Sequence, residues 1–390
     1  MQCIIYRIKN SNKNTTETGT VTAAKSATKN SAKRGSSRKA AGRAVDRVIF
    51  VSRIWQRKIH VTLAVTFTVF NLAACGGGGG NESATPLQSG GTTGSTSQTS
   101  AQSTNQAQNT QTEAGCDETS LPYSCQLNHG GLTRTYKLQL PSDYSANEPL
   151  PLVLNLHGYG GSAVGQHSYS RLNRLINEQR FILLSPQGSL LDGTTHWNVG
   201  GWTSASTVDD VGFIDALITA VSEGYAVDGQ RVYSTGMSNG GYMSFLLACQ
   251  LSHRIAAVAS VTGAMTPETY NQCAPSEAVG ILQIHGTVDD VVPYAGNGWS
   301  RSIPDAMDYW VGHHQCDATA STDTLVDVNG DTAQPRRYSY RNCADNVGVE
   351  HIEMVAMGHV WPAIIRGDDI AGGEVVWSFL QRHTLAGGMP

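Results

Sequence analysis

Arg231-Val-Tyr-Ser-Thr-Gly-Met-Ser-Asn-Gly-Gly241 is the stretch that decides the fold. Val232–Thr235 is rich in residues that suit a pleated sheet, and Tyr242–Gln250 reads as a helix. Between them Gly236-Met237-Ser238-Asn239-Gly240 places one serine on a strand-to-helix turn. A nucleophile elbow requires this context, because the turn is sharp and strained. Its positions 236 and 240 must be small, and glycine has no Cβ to clash. The competing interpretation is a glycine-rich helix start in which Ser238 serves only as a cap. The elements on both sides favour the elbow, so Ser238 is the candidate nucleophile.

Outward from the elbow, apolar runs alternate with helical periodicity. Leu152–Leu156, Phe181–Leu184, Ile255–Val261, Ile281–Ile284 and His351–Val355 read as strands. Leu172–Gln179, Val211–Tyr225, Asp305–His314 and Glu374–Arg382 read as helices, the second with Asp209 or Asp210 as N-cap. Strand–helix alternation implies a mostly parallel sheet covered by helices on both faces. Leu132–Leu140 alternates more evenly and suits an antiparallel edge strand. With no internal repeat and no second linker, residues 115–385 form one α/β-hydrolase domain, long enough for one large core.

On such a fold the order of a catalytic triad is Ser, then acid, then His. Ile281–Ile284 runs into His285-Gly-Thr-Val-Asp289-Asp290, and a carboxylate just past a strand end is where the acid belongs. Two candidates stand side by side. The His-Gly-Thr-x-Asp pattern puts the acid fifth, at Asp289, and leaves Asp290 to the loop surface. Of the later histidines, His313 and His314 belong to a helix, His351 to a strand and His383 to a terminal helix. His359, in Met357-Gly358-His359-Val360-Trp361-Pro362, lies in a Gly/Pro-bounded loop beyond the last strand and is the candidate base.

A carbonyl under attack by the serine gains negative charge, so donors must already be aimed there. The Asn239 amide at the start of the helix is one. The strand Leu152–Leu156 ends in His157-Gly158-Tyr159-Gly160-Gly161, a loop able to present the Tyr159 amide as the second. His157 itself reads as a structural residue that holds this loop. Trp197, Trp202, Trp299, Trp361 and Tyr294 all fall in loops beside these motifs, either as walls of an aromatic cleft or as core.

Together with Asp209-Asp210-Val-Gly-Phe-Ile, these motifs resemble the poly(3-hydroxybutyrate) depolymerase and feruloyl esterase family. Its members include acetylxylan esterases of carbohydrate esterase family 1. The similarity runs from about Leu132 to Trp377. It implies an α/β-hydrolase that cleaves carboxylic esters with Ser238, Asp289 and His359, aided by the Tyr159 and Asn239 amides. No metal or organic cofactor is implied, and the substrate would be an ester, polymeric in a polyester or an esterified xylan. Met357 stands where relatives often have glycine, and no polymer-binding domain follows the catalytic one. A prolyl oligopeptidase-type peptidase would bring a propeller, for which there is no room. A surface binding protein on a hydrolase scaffold is the alternative of another class.

Charge divides the chain. Residues 1–60 carry 14 Lys or Arg against two acids, and residues 61–390 hold the other 13 basic and 29 acidic residues. After residue 60 the single lysine is Lys137. So acidic a domain argues against binding nucleic acid. Residues 48–74 read as an export signal: Arg57-Lys58, an apolar stretch shorter than the ~20 residues of a membrane span, then Leu72-Ala73-Ala74-Cys75. That ending resembles a lipobox, with Cys75 lipidated as the mature N-terminus and the membrane reached only through this anchor. Residues 1–47 then read as a wrongly assigned start or a basic, disordered segment, and 75–114 as a Gly/Ser/Thr/Gln-rich tether. The expected location is the bacterial envelope or beyond it.

Six cysteines follow Cys75, namely Cys116, Cys125, Cys249, Cys273, Cys316 and Cys343, an even number suited to disulfides in an exported chain. Six allow fifteen pairings, and proximity favours 116–125, 249–273 and 316–343. No CxxC pair supports zinc. Asp327-Val-Asn329-Gly330-Asp331 starts like a calcium loop, but Thr332 and Tyr338 occupy its required Gly and Glu positions. Asn329-Gly330 reads instead as a hairpin turn. Intact-mass analysis of the precursor tests the N-terminal reading: residues 1–40 should be missing, and their presence overturns it.

Overall fold

The computed structural model describes residues 114–331 and 333–388. The segments 1–47 and 48–74, the tether up to residue 113 and the lipidation candidate Cys75 lie outside the described residues. Strands β1 (Ala114–Asp117), β2 (Tyr123–His129) and β3 (Leu132–Gln139) form an antiparallel meander. They are followed by β4 (Leu150–Leu156), β5 (Ile182–Pro186) and a separate hairpin of β6 (Ser189–Leu191) and β7 (Thr194–His196). Next come β8 (Val227–Met237), β9 (Ala257–Val261), β10 (Gly280–Gly286), β11 (Ser321–Thr324), β12 (Arg336–Tyr340) and β13 (Val349–Met354). The helices are α1 (Ala163–Tyr169), α2 (Ile176–Gln179), α3 (Asp210–Gly224), α4 (Asn239–Gln250), α5 (Pro267–Gln272), α6 (Ile303–His313) and α7 (Gly372–Leu380).

Among the described residues all of these strands but β6 and β7 join one eleven-stranded sheet in the order β1-β2-β3-β5-β4-β8-β9-β10-β13-β12-β11, and His383–Thr384 pairs separately with Gly387–Gly388. The six from β5 to β13 are parallel, and the outer strands on both sides are antiparallel. This is the α/β-hydrolase architecture. Chain order reverses at β4, which lies between β5 and β8. Ligands on open α/β sheets bind beyond the carboxyl ends of strands at such a switch point, and the loops after β4 and β8 are those carrying His157–Gly161 and Ser238.

Burial explains the layers. Every residue of β4 is buried. Leu152, Leu154 and Leu156 pack on one face against Phe213 and Leu217 of α3, Phe245 of α4 and Trp310 of α6. Val153 points to the other face, where Phe181, Ile176 and Trp377 of α7 form a second core. Asp209 caps α3, its carboxylate accepting the Gly212 amide at 2.8 Å. Asp210, the other capping candidate, turns inward to Arg134.

Three readings are corrected. Leu132–Leu140 is antiparallel but not an edge, since β2 and β1 extend the sheet beyond it. Leu172–Gln179 is not one helix but a 3₁₀ turn over Leu172–Arg174 followed by the single turn of α2. Arg171 and Arg180 at its two ends are left-handed, with φ of 61° and 52°, so no longer helix can run through. His383 lies beyond α7 and not within it. The sulfurs pair as 116–125, 249–273 and 316–343. Loops this short each stabilise the folded chain by ~3 kcal/mol in the chain-entropy model. Asn329-Gly330 lies in the long loop between antiparallel β11 and β12, inside the third disulfide.

Several buried histidines set the response to acid. Burial pushes His167, His314 and His383 down to about 4 and His351 to about 3, from an ordinary value of 6.5. Between those limits the unfolded chain binds more protons than the folded one. Stability present above pH 6.5 is therefore lost as pH falls towards 4, by up to ~1.4 kcal/mol per pH unit for each histidine. Thermal unfolding followed from pH 7.5 to 4.5 should show a steep fall in Tm, and a flat profile overturns the assignment.

Candidate active site

Ser238 joins β8 to α4 with φ 53° and ψ −119°, a conformation that costs about 1–3 kcal/mol and needs surroundings to hold it. The surroundings are tight. A methyl group on Gly240 would come within 2.2 Å of the Leu156 carbonyl oxygen, and one on Gly236 within 2.5 Å of the Gly240 backbone. The Ser238 amide donates to Val261 O at 2.9 Å, while its carbonyl accepts the Gly241 and Tyr242 amides. Its hydroxyl makes no capping bond to α4. It opens instead on a cavity of about 540 Å³ that His359 and the His157–Gly161 loop also line.

His359 and Asp289, 70 residues apart in sequence, meet here. His359 Nδ1 donates to Asp289 Oδ2 at 2.8 Å, which leaves Nε2 as the free ring nitrogen. Asp289 is buried, and its Oδ1 accepts the Val291 and Val292 amides at 3.0 and 2.8 Å. Burial opposes ionisation of this carboxyl. The His359 hydrogen bond, the Val292 amide and the nearby imidazoles outweigh it and hold the group below the ordinary carboxylate range. Asp290 is exposed.

His285, at the end of β10, backs Asp289 from the core side. Its Nε2 donates to Val292 O at 2.8 Å and lies 3.4 Å from Asp289 Oδ2, while Nδ1 faces the Gln283 amide at 3.0 Å. Burial lowers its basicity, so it stays a neutral donor that fixes the Val292 turn.

The Tyr159 and Asn239 amides are not among the N–H groups used by the loop and cap network. His157 holds the first loop: Nδ1 donates to Gly158 O at 2.7 Å and Nε2 accepts the Gly188 amide at 2.9 Å. Burial lowers its pKa, consistent with this neutral tautomer. The Asn239 side chain is pinned from both ends, accepting the Trp197 amide at 2.6 Å and donating to Trp197 O at 3.1 Å.

A second lobe of about 300 Å³ opens on the other side of Ser238, walled by Tyr159, Trp202, Tyr242, Val291, Val292 and Trp299. Trp202 meets Tyr159, Tyr242 and Trp299 edge to face, with centroids 5.6–6.2 Å apart. Of the five loop aromatics singled out in sequence, Trp202 and Trp299 reach the cleft. Trp197 and Trp361 are fully buried, and Tyr294 packs between His285 and His351. Tyr242, Val291 and His285 were not legible as site residues: the first reads as one more apolar helix position, the others as strand end and loop. Met357 is buried, its side chain in the second core.

Asp327, Asp331 and Asp369 bring carboxylate oxygens within 4.8 Å of one another, and Asp369 Oδ1 accepts the Val328 and Asn329 amides. Asp369 comes from a distant segment that the spacing of the 327–331 loop could not reveal.

The fold is that of the α/β-hydrolases, and its elbow serine, Ser238, lines one cavity with His359, which is hydrogen-bonded to Asp289. The family described as esterase PHB depolymerase matches residues 134–327. Feruloyl esterase B of Piromyces equi is 28% identical over 257 residues, 64% of this chain and 45% of its own. The bifunctional acetylxylan esterase/xylanase of Neocallimastix patriciarum is 24% identical over 257 residues, 66% of this chain and 34% of its own. Feruloyl esterase D of Neurospora crassa is 32% identical over 180 residues, 43% of this chain and 57% of its own. The chain thus spans between a third and somewhat over half of these relatives. It belongs to the poly(3-hydroxybutyrate) depolymerase/feruloyl esterase family.

The two neighbouring carboxylates separate the candidates for the acid. Asp289→Asn should lower kcat for p-nitrophenyl acetate by ~10³–10⁴-fold, by disturbing the tautomer and orientation of His359. Asp290→Asn should stay within about threefold of wild type on the general expectation for surface substitutions. The reverse ranking in steady-state kinetics would reassign the acid.

Proposed function

We propose that this protein is an exported serine carboxylic-ester hydrolase that works through an acyl-enzyme. The observation that carries the reading is the His359–Asp289 hydrogen bond beside a strained Ser238 at the switch point of the sheet. Ser238 Oγ attacks the acyl carbon and passes its proton to His359 Nε2. The oxyanion is held by the Tyr159 and Asn239 amides, and collapse expels the alcohol, which takes that proton. Water then adds to the acyl-enzyme with His359 as base, and the acid leaves as Ser238 regains its proton. Asp289 stays ionised throughout and steadies the imidazolium.

The substrate class proposed is an ester of a polyester or a plant polysaccharide. The names of the relatives support this, and the aromatic lobe beside Ser238 favours an aromatic acyl group over acetyl. Export is supported by the three disulfides, and the lipid anchor at Cys75 by the lipobox-like Leu72-Ala73-Ala74-Cys75. No described helix is long and apolar enough to cross a membrane.

Ser238→Ala should abolish both p-nitrophenyl acetate hydrolysis and labelling by a fluorophosphonate probe. Wild-type protein that takes no label would instead be a binding protein on a hydrolase scaffold. In a panel of methyl ferulate, acetylated xylan and amorphous polyhydroxybutyrate, methyl ferulate should give the highest kcat/KM. A preference for acetylated xylan overturns the aromatic-acyl assignment.

A further inference from the structure

Arg134 and Asp210 form an ion pair in the interior, with side chains 4% and 0% exposed. Arg134 Nη2 donates to Asp210 Oδ1 at 2.7 Å and to Gln187 O at 3.1 Å, and the guanidinium lies 3.9 Å over the Phe213 ring. Among the described residues Nε and Nη1 have no partner. A buried guanidinium with two unmet donors is a poor stabiliser, because desolvation offsets most of the attraction. Its contacts lead elsewhere.

One arm runs to the Tyr159 loop. Arg134 holds Gln187 O, and Gln187 Nε2 and the next amide, Gly188 N, both face His157 Nε2, at 3.1 and 2.9 Å. His157 in turn holds Gly158 O, directly before Tyr159. The other arm runs to Asn239. Asp210 Oδ2 accepts the Asn198 amide at 2.7 Å, and the preceding residue, Trp197, clamps the Asn239 side chain. A cross-tie joins the arms, since the Trp197 indole donates to His157 O at 2.9 Å. Both proposed oxyanion donors are thus attached to the strip 187–198, and one ion pair pins that strip at each end.

We propose that Arg134 and Asp210 are positioning residues that fix the spacing of the two oxyanion donors, an inference that rests on the esterase reading above. Neither touches substrate. A small drift of either donor weakens binding of the tetrahedral oxyanion while leaving ground-state binding of the ester intact. Asp209, adjacent in sequence, only caps α3 and meets His129. It provides a control that disturbs the same helix end without touching the strip.

The test uses the full chain. Arg134→Met/Asp210→Leu keeps the volume apolar, which buried pairs often tolerate, and Asp210→Asn is a milder second variant. In whichever of the two folds by circular dichroism, kcat for p-nitrophenyl acetate should fall ~10–100-fold with KM changed less than about threefold. Inhibition by a trifluoromethyl ketone, which forms a tetrahedral adduct, should weaken in parallel. Asp209→Ala should lower Tm but keep kcat. A folded variant with kcat within twofold of wild type, or a loss confined to KM, overturns the proposal. So does an Asp209→Ala loss equal to that of Asp210→Asn, because helix damage would then explain both. Wild-type protein without esterase activity would refute the functional reading itself, before any variant is compared.

Discussion

Contact between the start of α4 and the end of β4, with no side chain between them, is the constraint on which the rest of this structure depends. Gly240 sits against the Leu156 carbonyl, and Gly236 against Gly240 itself. Only with that gap closed can the chain reverse from strand to helix within one residue. The reversal puts Ser238 into a backbone conformation that side chains rarely occupy. It also brings α4 against the His157–Gly161 loop, so that Ser238 and Tyr159, from distant parts of the sequence, line one cavity. Packing at two glycines therefore sets the geometry of the site before any polar group is considered.

Polar groups then divide the interior into two regimes. Around Asp289, two amides and two imidazoles converge on one carboxylate and keep it ionised despite burial. Elsewhere burial outweighs every other influence, and His157, His167, His314, His351 and His383 are held neutral. The difference lies in how many donors face the group and not in depth. A neutral histidine inside a sheet is a shape with one donor and one acceptor, and His157 and His285 are used in that way.

Local chemistry was legible in the sequence, and long-range assembly was not. The elbow could be read because its glycines, serine and flanking elements are contiguous; β4 and α4 lie close to their expected limits, while β8 runs from Val227 to Met237, well beyond the expected Val232–Thr235. Choosing Asp289 over Asp290 was possible from a five-residue pattern; the structure adds that the first is buried and the second exposed. What escaped reading depends on partners far away in the chain. β1, β11 and β12 are short and weakly patterned, and become strands by pairing with neighbours. The roles of Arg134 and Asp210 are invisible to periodicity, since 76 residues separate them. Likewise nothing local distinguishes Trp202, which reaches the cleft, from Trp197, which is entombed.

The outer strands have a bearing on behaviour in crowded solution. An eleven-stranded sheet has two rims, each a potential template for a strand from another molecule. Among the described residues both rims are strands of only four residues, β1 and β11. The first is riveted to its neighbour where Cys116 and Cys125 face each other in register. The second reads Ser-Thr-Asp-Thr, polar at every position. Short, polar or cross-linked margins give a foreign strand little length to pair with, so that aggregation through the sheet is disfavoured without any cost to the parallel strands that carry Ser238.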